Sequence, residues 1–195
     1  MLATLAVTIA CGLSARPAQA GYIVTLNQVG PDVVATGIGP IDLTGLFFDA
    51  NVSTGSNIQA DAAVIFTGPA TSSNGSRYAG IGGPTSFGTA ASTTFASSGS
   101  GDLVGIIGKY GYLIVPMGYV SGTALSDSST YNSKTFSSLG VTPGTYEWTW
   151  GRGVNQNVTL RIGVAVPDSG STFGLLLLPL AALFGASHLR QVRIA

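Results

Sequence analysis

From Gly21 to Ala165 no window holds apolar residues at three- and four-residue spacing for the length an amphipathic helix needs. What recurs instead are short runs of β-branched and aromatic residues, each cut by Gly, Pro, Asn or Asp. A chain written this way has to bury itself as sheet. Tyr22-Ile23-Val24-Thr25-Leu26 alternates, and Gly30-Pro31-Asp32 turns it into Val33-Val34-Ala35-Thr36. Ile41 to Phe48, Ala50 to Thr54 and Ala62 to Thr67 are predicted as further strands.

Thr67 to Gly101 looks different. Ser72-Ser73-Asn74-Gly75-Ser76 is a turn cluster, Gly82-Gly83-Pro84 follows, and Ala90 to Gly101 is almost all small residues. A Gly-rich phosphate loop must be followed by a helix, and none is suggested, so this stretch is expected to be a long surface connection. Leu103 to Val115 is the most apolar part of the body and is expected to be one central strand. Tyr110, Tyr112 and Ile114 would then share one face, with Leu113 and Val115 on the other. Val120 to Ser129 supplies a short strand and a polar connection. A hairpin closes the body. Thr145-Tyr146-Glu147-Trp148-Thr149-Trp150 pairs through the loop Gly151 to Asn155 with Gln156 to Ile162, placing Tyr146, Trp148 and Trp150 opposite Val158, Leu160 and Ile162. The expected fold is all-β, a sandwich or jelly-roll-like domain with Gly-rich loops over residues 21–165.

Composition removes most chemistry from that domain. Cys11 is the only cysteine, His188 the only histidine and Glu147 the only glutamate, and the first two lie outside residues 21–165. A disulfide framework, a Cys/His zinc site and a His-dependent nucleophile are therefore excluded from the body. Paired-carboxylate hydrolysis would fall to scattered Asp residues. The expectation is a non-enzyme with no catalytic residue, cofactor or metal. Asp42, Asp49, Asp61 and Asp102 lack the spacing of an EF-hand and read as turn and edge residues. Asn51, Asn74 and Asn157 match Asn-x-Ser/Thr, a pattern too short to carry much weight. Charged residues are only 8% and formal net charge is zero, so no nucleic-acid partner is expected. So little charge beside 28 glycines fits a secreted or surface β protein better than a cytosolic enzyme.

Both ends read as export machinery. Residues 1–20 form a signal peptide, with an apolar run from Leu2 to Leu13 and the small-x-small end Ala18-Gln19-Ala20. Signal peptidase is expected to cut after Ala20 and leave Gly21 as the mature start. The positive n-region is missing, which places the true start upstream or marks a miscalled start codon. An uncleaved anchor, or a lipoprotein modified at Cys11, is the weaker reading, since Thr8 stands where a lipobox wants an aliphatic residue. At the other end, residues 166–195 combine Val166-Pro167-Asp168-Ser169-Gly170, a hydrophobic helix over 173–187 and a basic stop at Arg190 and Arg193. The run is short for a full span, which needs about 20 residues, and Pro179 would kink it. Its basic end would stay cytoplasmic, leaving the body outside the inner membrane.

Val166-Pro167-Asp168-Ser169-Gly170-Ser171-Thr172, with the hydrophobic helix and arginine end, resembles the VPDSG-type variant of the PEP-CTERM sorting signals. Asp for Glu in the core triplet fits that variant rather than the namesake motif. The body stretches Gly21 to Leu26 and Leu139 to Gly151 also look like exported PEP-CTERM proteins. The resemblance implies an exported protein of a Gram-negative bacterium, held at least transiently in the inner membrane and processed there by an exosortase-type enzyme. It also implies a final place at the cell surface or in an extracellular matrix linked to exopolysaccharide and biofilm. A Gram-positive Leu-Pro-x-Thr-Gly signal is the runner-up, two substitutions away, and a plain membrane anchor is the third reading. The function expected is therefore structural. The alternative is a carbohydrate-binding module that holds exopolysaccharide on Tyr146, Trp148 and Trp150.

Overall fold

The computed structural model describes residues 21–163, and the strands are numbered β1 to β13 in chain order. The protein over this range is all-β, with two sheets and only single turns of 3-10 helix. The first sheet runs in the order β12 (Gly144–Thr149), β13 (Asn157–Ile162), β1 (Tyr22–Val29), β2 (Asp32–Pro40), β11 (Ala124–Tyr131) and β8 (Ser98–Gly101). The second runs β3 (Phe47–Thr54), β6 (Ser73–Ala79), β10 (Tyr112–Pro116), β9 (Val104–Ile107), β5 (Val64–Thr67), β4 (Asn57–Gln59) and β7 (Thr94–Phe95). Strand β1 lies at the centre of the first sheet, antiparallel to β2 and parallel to β13.

Alternation along the strands decides what is buried. Tyr22, Val24 and Leu26 of β1 point into the same core as Val158, Leu160 and Ile162 of β13. From the second sheet come Ile65, Val104, Ile106, Leu113 and Val115, so one core takes an inner face from each sheet. The second sheet also has an apolar outer cluster, built on Phe66, Leu103 and Ile114. Gly75 lets Ile114 lie close there, since a Cβ at that position would meet its Cγ2 at 2.8 Å.

Three expectations change. Ile41 to Phe48 is not one strand: Asp42 Oδ1 accepts the backbone N–H of Thr44 at 2.9 Å, and Leu46 N–H donates to Leu43 O. This Asx turn, with Gly45 at φ 91°, breaks the ladder before β3 begins at Phe47. Thr67 to Gly101 is not a single surface connection. Ser73–Ala79 is a fully paired strand between β3 and β10, although it has no apolar alternation, and Ser98–Gly101 pairs with β11 at the far edge of the first sheet. Leu103 to Val115 is two strands, not one. A 3-10 turn, Gly108–Tyr110, folds β9 back against β10, with Gly111 in the left-handed region at φ 69°. The predicted hairpin of β12 and β13 is present, pairing Tyr146 with Leu160 and Trp148 with Val158.

The signal helix expected over residues 1–20 and the hydrophobic helix over 173–187 lie outside the described residues. Among the described residues no helix is long and apolar enough to cross a membrane.

Candidate functional site

The aromatic strand β12 offers no open platform. Trp148 is 0% exposed, and its indole N–H donates to Pro84 O at 2.8 Å. The Gly82-Gly83-Pro84 segment lies directly over it: a Cβ on Gly83 would come within 2.6 Å of the indole, and Gly82 bridges to Thr149. Gly-rich sequence here serves close packing on a tryptophan. Tyr146 and Trp150 are half-buried against the same core, with Tyr146 Oη donating to Thr142 O and the Trp150 indole to Asp42 O. The core reading of these aromatics describes Trp148, and the alternative of a glycan platform on Tyr146, Trp148 and Trp150 would have to do without that ring, because the face they share is the inner one. A sugar ring needs an exposed aromatic face, and Trp148 presents none.

Two further polar centres are structural in geometry. Asp42 gathers the chain where the loop before β3 meets those after β10 and β12. Its carboxylate accepts Thr44 N–H, Ser121 Oγ and the Gln156 side-chain amide, which together hold its pKa below the usual carboxylate range. Asp127 of β11 is buried, and Tyr22 Oη donates to it from β1. Burial pushes the Asp127 carboxyl up to about 6 and raises the Tyr22 hydroxyl well above its ordinary value. Gly37 makes this approach feasible, since a side chain there would strike both groups.

The other carboxylates weighed as calcium ligands are each occupied locally. Asp49 pairs with Arg77, Asp61 accepts the Gln59 amide and Asp102 accepts Ser126 N–H. Among the described residues no three His, Cys, Asp or Glu side chains stand close enough together to hold a metal.

A concavity that sequence reasoning missed lies on the outer face of the second sheet. Its floor is a single row across four adjacent strands, Gln59, Val64, Ile107 and Tyr112, brought abreast by the registers of β4, β5, β9 and β10. Its end wall comes from two similar turns. The 3-10 turns Ala60–Ala62 and Gly108–Tyr110 each close on a left-handed residue, Ala63 and Gly111. The Gly108 N–H donates to Ala63 O at 3.0 Å and locks the turns side by side. Lys109 and Tyr110 therefore project over the row. On the other flank the Arg77 guanidinium lies 4.6 Å from the Tyr112 ring centre, steered by Asp49 at 2.5–2.6 Å. Tyr110 and Tyr112 stand with ring centres 6.5 Å apart. The space enclosed is about 570 Å³ and opens to solvent. Its sequence signal is Lys109-Tyr110-Gly111-Tyr112, where a glycine between tyrosines marks a turn inside what otherwise looks like one strand.

Of the sites expected at the termini, the structure reaches only Gly21. It is buried at the head of β1, where a side chain would run into Asn157. Ala18 and Ala20, the sorting residues Val166, Pro167, Asp168, Ser169 and Gly170, and the basic stop at Arg190 and Arg193 lie outside the described residues.

Comparison with known proteins bears on that C-terminal segment. No curated protein and no solved structure matches the chain. A C-terminal sorting motif of the kind expected at residues 166–195 implies export, sorting at the membrane of a Gram-negative bacterium and processing by an exosortase-type enzyme. Residues 165–188 match the VPDSG-CTERM motif, and the chain therefore carries a PEP-CTERM-type sorting signal of the VPDSG variant.

Proposed function

We propose that the chain is a non-catalytic structural protein of the cell surface or of an exopolysaccharide-rich extracellular matrix. It is delivered as a sandwich-like β domain by a signal peptide and released from a membrane intermediate at its C-terminal tail. The sorting motif at residues 165–188 carries this reading. The body supports it in two ways. Strand β1 starts at Tyr22, directly after Gly21, the mature first residue that cleavage after Ala20 would give. The body's carboxylates are engaged with turn N–H groups, an amide, an arginine and a buried tyrosine rather than converging on an open cleft.

Intact-mass measurement of the protein recovered from its native envelope tests the proposal. A mass that starts at Gly21 and lacks the hydrophobic segment Phe173 to Ala195 is the expected result. A mass that retains that segment overturns processing and leaves a plain membrane anchor. A mass that retains residues 1–20 overturns the signal-peptide step.

A further inference from the structure

The outer groove of the second sheet lies on the face turned away from the shared core. We propose that it binds an extended sugar chain bearing carboxylates, of the uronate-polymer class, with Tyr110 as the stacking ring and Lys109 as the anion contact. The inference stands on the groove alone and holds whether or not the tail is processed.

Shape comes first. Adjacent strands lie about 4.8 Å apart, so the row from Gln59 to Tyr112 spans roughly 14 Å across β4, β5, β9 and β10. That is a slot for several linked rings, open along its length, rather than a pocket for one small molecule. Val64 and Ile107 give it an apolar floor, suited to the C–H faces of pyranose rings. Tyr110 is 66% exposed at its edge, so it offers the ring surface that Trp148 lacks.

Charge then selects among sugar chains. The ionisable groups with formal charge in the lining are Arg77 and Lys109, both cationic. Asp49 is paired with Arg77 at the flank of the groove and Asp61 accepts the Gln59 amide, so the cation left for a ligand is Lys109. Lys109 is exposed and has no ion-pair partner among the described residues, so an incoming carboxylate breaks no ion pair there. Arg77 is already oriented by Asp49 and the Tyr112 ring, which lowers the ordering cost of any hydrogen bond it adds. A membrane surface is a poorer match. Anionic lipid is captured by clusters of four or more basic residues, and this groove holds two, one of them already paired.

The test uses the full-length chain in non-ionic detergent, with Tyr110→Ala and Lys109→Gln as variants; both side chains are exposed, so neither change disturbs the core. Affinity electrophoresis is run through gels containing polygalacturonate or neutral dextran, and co-sedimentation is measured with phosphatidylglycerol vesicles. Retardation by polygalacturonate but not dextran is expected, weakened about tenfold in each variant at unchanged melting temperature. Equal retardation by dextran overturns the carboxylate requirement. Unchanged retardation in both variants overturns the site. Vesicle binding that both variants abolish, without retardation by polygalacturonate, assigns the groove to lipid and sinks the proposal.

Discussion

Two pairs of neighbouring aromatics occupy opposite environments here. Trp148 and Tyr146 on β12 alternate with Glu147, and Tyr110 and Tyr112 flank Gly111 at the turn between β9 and β10. In sequence both read as every-second-residue aromatic stripes. In the fold the first pair faces the shared core and the second faces solvent over an outer sheet face. What separates them is the partner opposite. Trp148 and Tyr146 sit across from Val158 and Leu160, whose own alternation commits that whole face inward. Tyr112 sits across from Ile107, on a ladder whose inward set is already filled by Ile106 and Leu113. Periodicity gives the two faces of a strand, and packing across the sheet chooses which one is buried.

That contrast is broken most forcefully at Trp148. Replacing it with alanine removes a fully buried ring and its hydrogen bond to Pro84 O, and leaves a void that the Gly82-Gly83-Pro84 segment only partly fills. The expected loss is about 3–5 kcal/mol, read as a lower midpoint in urea denaturation. Tyr110→Ala in the same assay should move stability by no more than about 0.5 kcal/mol. Comparable costs at the two positions would mean that Tyr110 is packed rather than presented.

The same comparison shows where sequence reasoning reaches its limit. The hairpin of β12 and β13 was legible because both strands alternate strongly and a Gly-rich loop separates them. Strand β6 was not, because Ser73, Asn74, Gly75 and Ser76 carry no apolar signal. It is a strand because β3 and β10 flank it on both sides, and because Gly75 makes room for Ile114. The groove was illegible for a related reason. Its row of four residues comes from four strands and is assembled only by register, while Lys109 reaches it through a turn that resembles strand continuation. The sorting signal, by contrast, is contiguous and needs no folding to be read.

Asp127 sharpens the contrast between inner and outer polar groups. Unfolded, its carboxyl titrates near 3.8; folded, burial holds it at about 6. Below the lower value it is protonated in both states, and its contribution to stability is at its best. As pH rises from 3.8 to 6 the unfolded chain releases the proton first, so stability falls, and above the upper value the loss is constant. The expected loss from this group is on the order of 2–3 kcal/mol between acid and neutral pH. Asp127→Asn keeps an acceptor for the Tyr22 hydroxyl and cannot ionise. Its stability relative to the parent should therefore climb by that amount across the window. A difference that stays flat with pH would show that the carboxyl is hydrated in the folded protein.

Arg77 should give the smallest effect, and its smallness is informative. It lies on the outer face with its side chain 29% exposed, paired with an Asp49 side chain that is 35% exposed, and stacked on Tyr112. Arg77→Met keeps most of the aliphatic stem over the ring and deletes the charge. Because both partners remain wetted, the Coulomb gain is offset by desolvation and side-chain ordering, and the cost should be about 0–1 kcal/mol. Salt near 1 M, where the screening length is about 3 Å, should reduce that difference further. A cost above about 2 kcal/mol that salt leaves untouched would place Arg77 in a dry setting like that of Asp127, and would erase the distinction between the two faces. If the cost is small, the guanidinium is held by weak contacts in reach of water, the condition under which it is free to add a hydrogen bond to a ligand in the groove.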